Sequence, residues 1–379
     1  MRTLITGGAG FIGSALANVL VARGDTVTVL DNLSPQIHGK NPNASPLFQK
    51  LPSQVRFIKG DVCSGNDWER ALDGQDAVVH LAAETGTGQS MYQVDRYVET
   101  NIRGTSLLLD HLARPENTIQ RVVVASSRSI YGEGKYLGPK GFLYPVTRSA
   151  HDMRNGRFEC LDPDTGEPLM VVATDETSKT HPSSVYGITK LVQEQLVLLV
   201  CAGMGIGAAA LRFQNVYGPG QSLRNPYTGI LSIFSTLLLQ GKNVNIFEDG
   251  RETRDFVYID DVVESIVLAL DAAHIRQAAY NVGSGVATSV LEVAETLKRI
   301  YGVAGELNVT GDFRLGDIRH NFADVTRIRD ELGFQAGVSF GEGAARFCEW
   351  VRSQTIEDAG YERSVSEMRA RGLMNQSVT

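Results

Sequence analysis

The sequence predicts a doubly wound α/β fold, in which helices cover both faces of a parallel β-sheet. Short runs rich in β-branched residues alternate with helical patterns through the first two thirds of the chain, which indicates right-handed βαβ units. Residues 26–30 and 121–125 are nearly continuous apolar stretches, as expected of strands buried on both faces. The predicted strands, in chain order, are residues 2–6, 26–30, 55–58, 77–81, 121–125 and 207–213.

The first predicted strand leads directly into glycines. Gly7, Gly10 and Gly13 follow it and open a helix with an apolar face, which is the context of a dinucleotide-binding turn. In such a turn Gly7 allows the tight bend, Gly10 lets the backbone approach a pyrophosphate, and Gly13 permits close packing of helix on strand. The alternative is a glycine turn that binds no ligand.

Asp31 stands at the end of the second predicted strand. A carboxylate there can accept a hydrogen bond from the 2'-hydroxyl of a ribose and would repel a 2'-phosphate. The sequence therefore favours NAD over NADP as the cofactor. Taken alone, an Asp before Asn32 is also typical of a turn.

The remaining elements indicate a second lobe and an insert. Helices are predicted at about 94–113 and 186–201, and their apolar surface serves either core packing or a homodimer interface. A Gly-, Pro- and Asp-rich stretch before Pro182 lacks periodicity, which predicts an inserted loop or lid. After Tyr217 the sequence predicts a smaller lobe at the carboxyl edge of the sheet, with helix-like residues 230–240, a strand at 243–247, and helices that begin near Ser289 and Gly341.

Composition and charge narrow the class of protein. Of 379 residues, 42% are hydrophobic and 21% are charged, which is ordinary for a soluble globular protein. The net charge of -7, without a basic run, argues against nucleic acid as a partner. The longest apolar run, 196–211, is broken by glycines and is shorter than the roughly 18 residues that a membrane span needs, so no membrane partner is expected.

The four cysteines point to a reducing compartment. Cys63, Cys160, Cys201 and Cys348 are far apart and form no CxxC pair, so neither a disulfide framework nor a zinc site is indicated. Residues 1–6 are predicted to form a strand, which leaves no room for an apolar export leader. We therefore expect a cytoplasmic protein without a bound metal.

Three polar residues suggest proton chemistry. Tyr186 and Lys190 lie one helical turn apart and so share a helix face, while Ser127 follows the predicted strand 121–125. An ammonium near a phenol lowers the pKa of the phenol, so Tyr186 could act as general base, with Ser127 sharing the proton and NAD accepting a hydride. A Tyr and a Lys at this spacing are also common on ordinary amphipathic helices, so the inference depends on the joint pattern.

The order of motifs resembles that of the extended short-chain dehydrogenase/reductases of the NAD-dependent epimerase/dehydratase family, over nearly the whole chain. The motifs are GGAGFIG from Gly7, Asp31-Asn32, Gly60-Asp61-Val62, HLAA from His80, NIRGT from Asn101, SSRSIYG from Ser126, YGITK from Tyr186, RFQNVYGPG from Arg212 and RDFVYIDD from Arg254. With this resemblance, we assign residues 1–215 to a Rossmann-type NAD-binding domain, with an insert at about 133–182 and the sheet completed by about 254–285. Residues 216–253 and 286–379 form the nucleotide-sugar-binding lobe.

The resemblance also implies residue roles. The family's catalytic Ser or Thr precedes the Tyr of the YG pair by four positions, which is Ser127 before Tyr131. Asn215 should meet the substrate diphosphate, Arg254 and Arg314 should clamp it, and Asp317 should bind the nucleotide ribose; surface salt bridging is the alternative for the arginines. The NAD site should be lined, besides the three glycines, by Phe11, Ile12, Asp31, Asn32, Asp61, Val62, Leu81, Ala82, Ala83, Asn101, Tyr186, Lys190 and Gln214.

The residues that follow Ser127 argue against one of the family's reactions. The family's 4,6-dehydratases carry an Asp-Glu pair directly after the catalytic Ser or Thr, and this chain has Arg128 and Ser129 there. Without those carboxylates, elimination lacks its acid and base. Ser127, Tyr186 and Lys190, together with NAD, suffice for oxidation and reduction at one carbinol, as a 4-epimerase requires. The alternatives are a nucleotide-sugar 4-reductase or dehydrogenase, and a non-catalytic nucleotide sensor.

Four segments are similar to the group within this family that epimerises dTDP-L-rhamnose. They are ETGTGQSMYQVDRY from Glu84, NPYTGILSIF from Asn225, IFEDGRETRDF from Ile246 and RLGDIRH from Arg314. Members of this group often have paired cysteines in the insert, whereas this chain has only Cys160 there, which speaks against a metal. The segment from Glu84 and Thr85 to Gln89, Ser90 and Met91 is expected to face the sugar, with helix capping as the alternative for Ser90.

Overall fold

The structure is a computed structural model that describes residues 1–223, 225, 229–273, 277–356 and 361–377. The strands are β1 Arg2–Thr6, β2 Thr26–Asp31, β3 Arg56–Lys59, β4 Ala77–His80, β5 Arg121–Ser127, β6 Tyr136–Gly138, β7 Gly141–Leu143, β8 Met170–Val171, β9 Gly207–Phe213, β10 Asn215–Tyr217, β11 Val244–Ile246, β12 Thr253–Arg254, β13 Phe256–Tyr258, β14 Ala278–Val282, β15 Thr288–Ser289, β16 Leu307–Val309, β17 Phe313–Arg314, β18 His320–Asn321 and β19 Met374–Asn375.

The helices alternate with these strands through the first part of the chain. They are α1 Phe11–Ala22, α2 Pro35–His38, α3 Pro46–Gln49, α4 Gly65–Leu72, α5 Thr87–Ser90, α6 Val94–Tyr97, α7 Gly104–Leu112, α8 Ala150–Arg154, α9 Val185–Met204, α10 Ile230–Leu239, α11 Ile259–Asp271, α12 Val290–Tyr301, α13 Thr326–Leu332, α14 Phe340–Arg352 and α15 Tyr361–Ala370.

A seven-stranded parallel sheet forms the centre, in the order β14-β9-β5-β4-β1-β2-β3. Ile5 and Val29 on one face pack with α1 and α11, while Leu4 and Val78 on the other pack with α4, α7 and α9. Strands buried on both faces need apolar residues at nearly every position, which explains the continuous runs in the sequence. The predicted doubly wound α/β fold is confirmed.

Strand β5 runs two residues further than the apolar run predicts and ends at Ser127. The extension is held by pairing with β9, in which Ser126 lies opposite Arg212 and Ser127 opposite Phe213. The polar end of the strand is therefore fixed at the carboxyl edge of the sheet, where ligands bind in doubly wound folds.

The predicted helix 94–113 contains a π-helical turn, Val98–Arg103, between α6 and α7. Such turns are rare and occur frequently at functional sites. Asn101 lies within it and is fully buried. Apolar periodicity alone does not reveal the extra residue in the turn, so the sequence predicted an uninterrupted helix.

The insert before Pro182 has structure of its own. Strands β6, β7 and β8 form an antiparallel sheet, and Tyr136, Cys160 and Leu169 make a small core. Strands of two or three residues are too short to show alternating periodicity, which is why the sequence suggested a loop. Buried ion pairs join the insert to the second lobe, because Arg148 contacts Glu248 at 2.8 Å and Arg319 contacts Glu159 at 2.5 Å.

The elements after β10 pack onto the main core rather than forming a separate one. Leu237 of α10, Leu297 of α12 and Phe347 of α14 belong to the same buried cluster as Ile5 and Val29. The similarity segment that begins at Asn225 falls in part on residues 226–228, which lie outside the described residues.

Helix α9 is long and apolar enough, by length and composition, to cross a membrane. In the structure it packs against β5 and β9. Its buried face includes Lys190, Gln193 and Glu194, which are polar groups held within the protein. This is the packing of a core helix.

Candidate active site

The glycine turn between β1 and α1 has no room for side chains. Gly7 has a φ of 66°, and a Cβ there would lie 2.8 Å from the backbone nitrogen of Ala82. A Cβ on Gly13 would lie 2.4 Å from the carbonyl oxygen of Gly7. A Cβ on Gly10 would meet only that same oxygen, at 3.2 Å, so the open side of the turn lies at Gly10. The N-terminus of α1 is thereby presented to an anion, as a pyrophosphate site requires.

A cavity of about 340 Å³ begins at this turn and reaches the ends of β5 and α9. It brings together most of the residues that the sequence predicted for the cofactor and for catalysis. The predicted residues in its lining are Gly7, Gly10, Phe11, Ile12, Gly13, Asp31, Asn32, Val62, Leu81, Ala82, Ala83, Glu84, Thr85, Ser127, Tyr186, Lys190 and Gln214.

Asp31 is oriented by the backbone on both sides. One carboxylate oxygen accepts from the Ala9 N–H at 3.0 Å, and the other accepts from the Leu33 N–H at 2.8 Å. Burial raises the pKa of Asp31, and these backbone bonds together with the nearby His38 partly offset the rise. Each oxygen keeps a free lone pair toward the cavity, as binding of ribose hydroxyls requires.

Gln214 provides a second sign that this cavity takes a polar ligand. Its side chain lines the cavity, yet its amide nitrogen and its amide oxygen are both buried without a hydrogen-bond partner in the described part of the chain. Buried amides are rarely left unpaired, because desolvation costs about 1–3 kcal/mol for each group. The glycine turn, Asp31 and Gln214 thus fit NAD in chemistry and in position.

Two residues predicted for the NAD site, Asn101 and Asp61, are not among the residues that line the cavity. The Asn101 amide is occupied by the backbone of Glu84, at 2.8 and 3.1 Å, and by the Thr189 hydroxyl at 3.0 Å. Asp61 accepts from the Asn32 amide at 3.0 Å and from the Cys63 N–H at 2.8 Å. The Asn101 amide is thus engaged by protein groups, whereas the Asp61 carboxylate, like that of Asp31, can still accept further hydrogen bonds.

The N-terminus of α9 positions Tyr186. The Ser184 hydroxyl accepts from the Gly187 N–H at 3.1 Å, and the Ser90 hydroxyl accepts from the Tyr186 N–H at 3.0 Å. Ser90 was expected either to face the sugar or to cap a helix. It is fully buried, and its hydroxyl caps the N-terminus of α9. Gln89 is also buried, and its side-chain oxygen accepts from the Tyr97 hydroxyl, whereas Met91 is exposed. None of these three residues is among those that line the cavity.

Three effects act on the pKa of the Tyr186 phenol. Burial is the largest and raises the pKa, while a hydrogen bond with Ser127 and the positive charge of Arg128 offset that rise only in part. The sequence predicted Lys190 as the lowering charge. In the structure the Lys190 ammonium instead donates to the Gln193 side-chain oxygen at 2.5 Å, and burial lowers the pKa of Lys190 to about 7.

A buried chain of polar groups, which sequence reasoning missed, continues behind Lys190. The Gln193 amide donates to the Thr105 hydroxyl at 2.8 Å, and His80 lies 3.0 Å from the same hydroxyl. Burial lowers the pKa of His80 to about 3, so its imidazole is neutral at physiological pH. The position of Gln193 three residues after Lys190, on the same helix face, was the available signal.

The residues predicted to bind the diphosphate and ribose of the substrate lie outside this lining. They are Asn215, Arg254, Arg314 and Asp317, and the two arginines both act on Asp317. Arg254 donates to Asp317 at 3.1 Å and to the backbone carbonyls of Thr253, Ile318 and Arg319 at 2.7–3.0 Å. Arg314 lies with its guanidinium 4.9 Å from the centre of the Phe247 ring. Burial would raise the pKa of Asp317, but Arg254, Arg314 and Arg128 outweigh it and lower that pKa.

Asn215, the fourth of them, joins this group to the catalytic residues. It opens β10, and its side-chain oxygen accepts from the Arg128 guanidinium at 3.1 Å. Arg128 directly follows Ser127 and influences both Tyr186 and Arg254 electrostatically. Arg128 therefore links the end of β5, which carries Ser127, to Asn215 at the start of β10.

Within the described residues, no group of three or more His, Cys, Asp or Glu side chains is arranged to hold a metal. Cys160 of the insert lies in an apolar core with its thiol 3.5 Å from the Tyr136 hydroxyl.

Comparisons with known proteins agree with this geometry. The sequence profile of the NAD dependent epimerase/dehydratase family matches residues 3–151 and 160–283. A dTDP-L-rhamnose 4-epimerase from Burkholderia thailandensis is 36% identical over 93% of this chain and 95% of its own. The solved UDP-glucose 4-epimerase from Thermotoga maritima, with UDP-glucose, superposes with a TM-score of 0.76 at 30% identity over 93% of this chain and 99% of its own.

A second solved structure is the UDP-glucuronic acid 4-epimerase of Bacillus cereus in complex with UDP-glucuronic acid and NAD. It superposes with a TM-score of 0.75 at 26% identity, over 93% of this chain and 99% of its own. The family match spans both the glycine turn and the Tyr186–Lys190 pair. The chain therefore belongs to the NAD-dependent epimerase/dehydratase family, and NAD is its cofactor.

Proposed function

We propose that this NAD-dependent nucleotide-sugar epimerase inverts C4 of a dTDP-6-deoxyhexose, of the dTDP-L-rhamnose or dTDP-6-deoxy-L-talose type. The observation that carries the proposal is the position of the Tyr186 phenol. It lies in one cavity with the glycine turn, and Ser127 and Arg128 act to lower its pKa against the effect of burial. The similarity to the Burkholderia enzyme over 93% of the chain supports the dTDP sugar.

The protein residues carry out the proton chemistry. Tyr186, as phenolate, takes the proton of the C4 hydroxyl, and the Ser127 hydroxyl stabilises the charge by sharing a hydrogen bond. Bound NAD supplies the hydride acceptor for oxidation and the hydride donor for reduction. The ketone at C4 then presents its opposite face, and Tyr186 returns the proton to the C4 oxygen. No net redox change results, so one cofactor serves many turnovers.

A 4,6-dehydratase is disfavoured by the residues after Ser127. Arg128 is a cation, and the Ser129 N–H donates to the Ser127 hydroxyl at 3.1 Å. Neither residue supplies the acid and base that elimination of a C6 hydroxyl needs.

A UDP-sugar 4-epimerase is the second candidate. The solved relatives from Thermotoga maritima and Bacillus cereus hold UDP-glucose and UDP-glucuronic acid. A nucleotide-sugar 4-reductase or dehydrogenase would use the same Tyr186, Lys190 and Ser127, but would release its cofactor at each turnover.

We also propose the residues that bind each ligand, the compartment and the oligomeric state. Gly7, Gly10 and Gly13, with Asp31 and Gln214, bind NAD. Residues 216–253 and 286–379 form the nucleotide-sugar-binding lobe, and the nucleotide-sugar is contacted by Asn215, Arg254, Arg314 and Asp317. Glu84 and Thr85, which line the cavity, contact the sugar. The protein acts in the cytoplasm as a homodimer, to which the exposed Ile188 and Leu199 of α9 contribute apolar surface.

A panel of dTDP-, UDP- and GDP-sugars tests the proposal. Each sugar is incubated with the purified protein, and the configuration at C4 is read by NMR. We expect conversion of the dTDP-6-deoxyhexose without added cofactor. Conversion of a UDP-hexose alone would replace the dTDP assignment, and a requirement for stoichiometric NADH would indicate a reductase.

A further inference from the structure

Arg128 is a half-buried cation of the site, and most of its hydrogen-bonding capacity is unused. It begins the three-ten turn Arg128–Tyr131, directly after Ser127 at the end of β5. Its Nε donates to the Asn215 side-chain oxygen at 3.1 Å, while its two terminal nitrogens donate no hydrogen bond within the described residues. Four N–H groups of a fork suited to an oxyanion therefore have no protein acceptor.

Arg254 shows the opposite arrangement. Both of its terminal nitrogens are engaged, by Asp317 and by three backbone carbonyls. Its side chain is 7% exposed and held by the chain that surrounds it. Arg254 can contribute charge to a ligand, but Arg128 has the free donors.

The surrounding charges leave this region short of anions. Arg128, Arg254 and Arg314 all act on the Asp317 carboxylate, and only Arg254 forms an ion pair with it. In the described part of the chain, Arg128 and Arg314 make no ion pair at all. The next carboxylate, Glu133, is engaged by Arg148 at 3.3 Å. Burial and the repulsion of Arg254 lower the pKa of Arg128 to about 10, so a dianion between the two arginines would relieve an unfavourable arrangement.

We propose that Arg128 binds an oxygen of the sugar-bound phosphate of the nucleotide-sugar. Arg128 directly follows Ser127 and donates to Asn215, the residue expected to meet the substrate diphosphate, so it lies beside both the catalytic residues and the expected phosphate position. Guanidinium groups bind phosphate oxygens through paired, charge-assisted hydrogen bonds. This proposal rests on the proposed function, since it assumes a nucleotide diphosphate joined to a sugar.

The phosphate is the preferred partner over a sugar hydroxyl for a chemical reason. Epimerisation requires the ketone to present both faces, so any contact to a ring hydroxyl is broken when the sugar turns. A contact to the phosphate is kept throughout, because the ring turns about bonds beyond the phosphorus. Arg128 therefore holds the phosphate in place while the sugar ring turns, next to the catalytic residue Ser127.

The test removes the second phosphate from the ligand and the arginine from the protein in separate measurements. Binding of dTMP and dTDP to the holoenzyme is measured by calorimetry, with UMP and UDP in parallel, and the preference is the ratio of the two dissociation constants. We expect Arg128→Gln to reduce the preference for the diphosphate about tenfold or more, because hydrogen bonds to charged groups contribute that much. Arg329→Gln, an exposed residue paired with Asp330, is the matched control and should keep the wild-type preference.

The outcomes separate this proposal from the proposed function. A wild-type preference retained in Arg128→Gln, or no preference in the wild type, overturns the role of Arg128. If Arg128→Gln fails to fold, as judged by its NAD content and thermal melting, Arg128→Met keeps the aliphatic stem and is measured instead. A lost preference in a protein that does not epimerise any sugar supports the role of Arg128 while contradicting the epimerase.

Discussion

Tyr186 owes its acid–base properties to residues that the helical spacing does not reveal. Ser127 and Arg128 come from the end of β5, and they lower a phenol pKa that burial raises. Lys190, one turn along α9, is directed to Gln193 and has its own pKa lowered to about 7 by burial. The reactive group is therefore assembled from two elements rather than from the YxxxK pattern alone.

Replacing Tyr186 with Phe tests this assignment at a single atom. We expect turnover to fall about 100- to 10,000-fold, since only the general base is removed. NAD binding should remain, because the glycine turn and Asp31 are untouched. Turnover is followed by NMR and NAD by chromatography after denaturation, with Tyr144→Phe in the insert as control. Activity near the wild-type level would contradict the role.

Glu252 provides a test of the buried charges in the second lobe. Burial and the charge of Glu248 raise the pKa of Glu252 to about 8, against the opposing effect of Arg254 and Arg319. A carboxyl with a raised folded-state pKa stabilises the fold at low pH and loses that contribution as the pH rises toward the folded-state pKa. Its contribution therefore falls between about pH 4.5 and pH 8.

The isosteric Glu252→Gln variant should escape this loss. We expect its free energy of unfolding to gain on the wild type as the pH rises to 8, by at most about 1.4 kcal/mol per pH unit, and to level off above that. Urea denaturation at a series of pH values measures the difference, with the exposed Glu295→Gln on α12 as control. A difference that does not change with pH would show that Glu252 is not buried as a neutral acid.

At the scale of elements, the N-terminus of α9 is set by two serines. Ser184 caps it from the preceding residue, and Ser90 caps it from α5, which is distant in sequence. Tyr186 is thus positioned by a contact between α9 and α5.

Removing the distant cap with Ser90→Ala should cost about 1 kcal/mol of stability, as expected for a lost helix cap. Because Tyr186 loses its backbone partner, we expect kcat to fall more than KM changes. Steady-state kinetics and urea denaturation measure the two effects, and Ser366→Ala, on the exposed part of α15, serves as control. A change confined to KM would instead mean that Ser90 contacts the sugar.

The sequence revealed elements in proportion to their length. Strands such as Arg2–Thr6 and Gly207–Phe213 are buried on both faces, so their composition alone identified them. The π-helical turn at Asn101 and the short strands of the insert leave no periodic signal. Their positions depend on tertiary contacts, such as the bonds of Asn101 to Glu84 and Thr189.

The same limit applies to the site. Gly7, Gly13 and Asp31 act through local backbone geometry, so their motif predicts them well. Arg128 contacts Asn215 across 87 residues, and its free donors become visible only when the second lobe is in place. Asn101 belongs to a family motif, yet in this chain its side chain is hydrogen-bonded to Glu84 and Thr189.

At the scale of the whole molecule, the sheet supplies the NAD cavity and the later elements supply Arg254, Arg314 and Asp317. In the proposed function, a nucleotide-sugar bound between them has its sugar at Tyr186 and its diphosphate at Arg128. We propose that oxidation and re-reduction then occur at one carbon of the bound substrate.

The most direct test is to incubate the purified enzyme with dTDP-L-rhamnose in D₂O, without added cofactor, and to follow the sugar by proton NMR. We expect the C4 epimer to appear with ordinary hydrogen at C4, because the hydrogen leaves and returns as hydride within the site. Deuterium at C4, or no epimer until stoichiometric NADH is added, would contradict it.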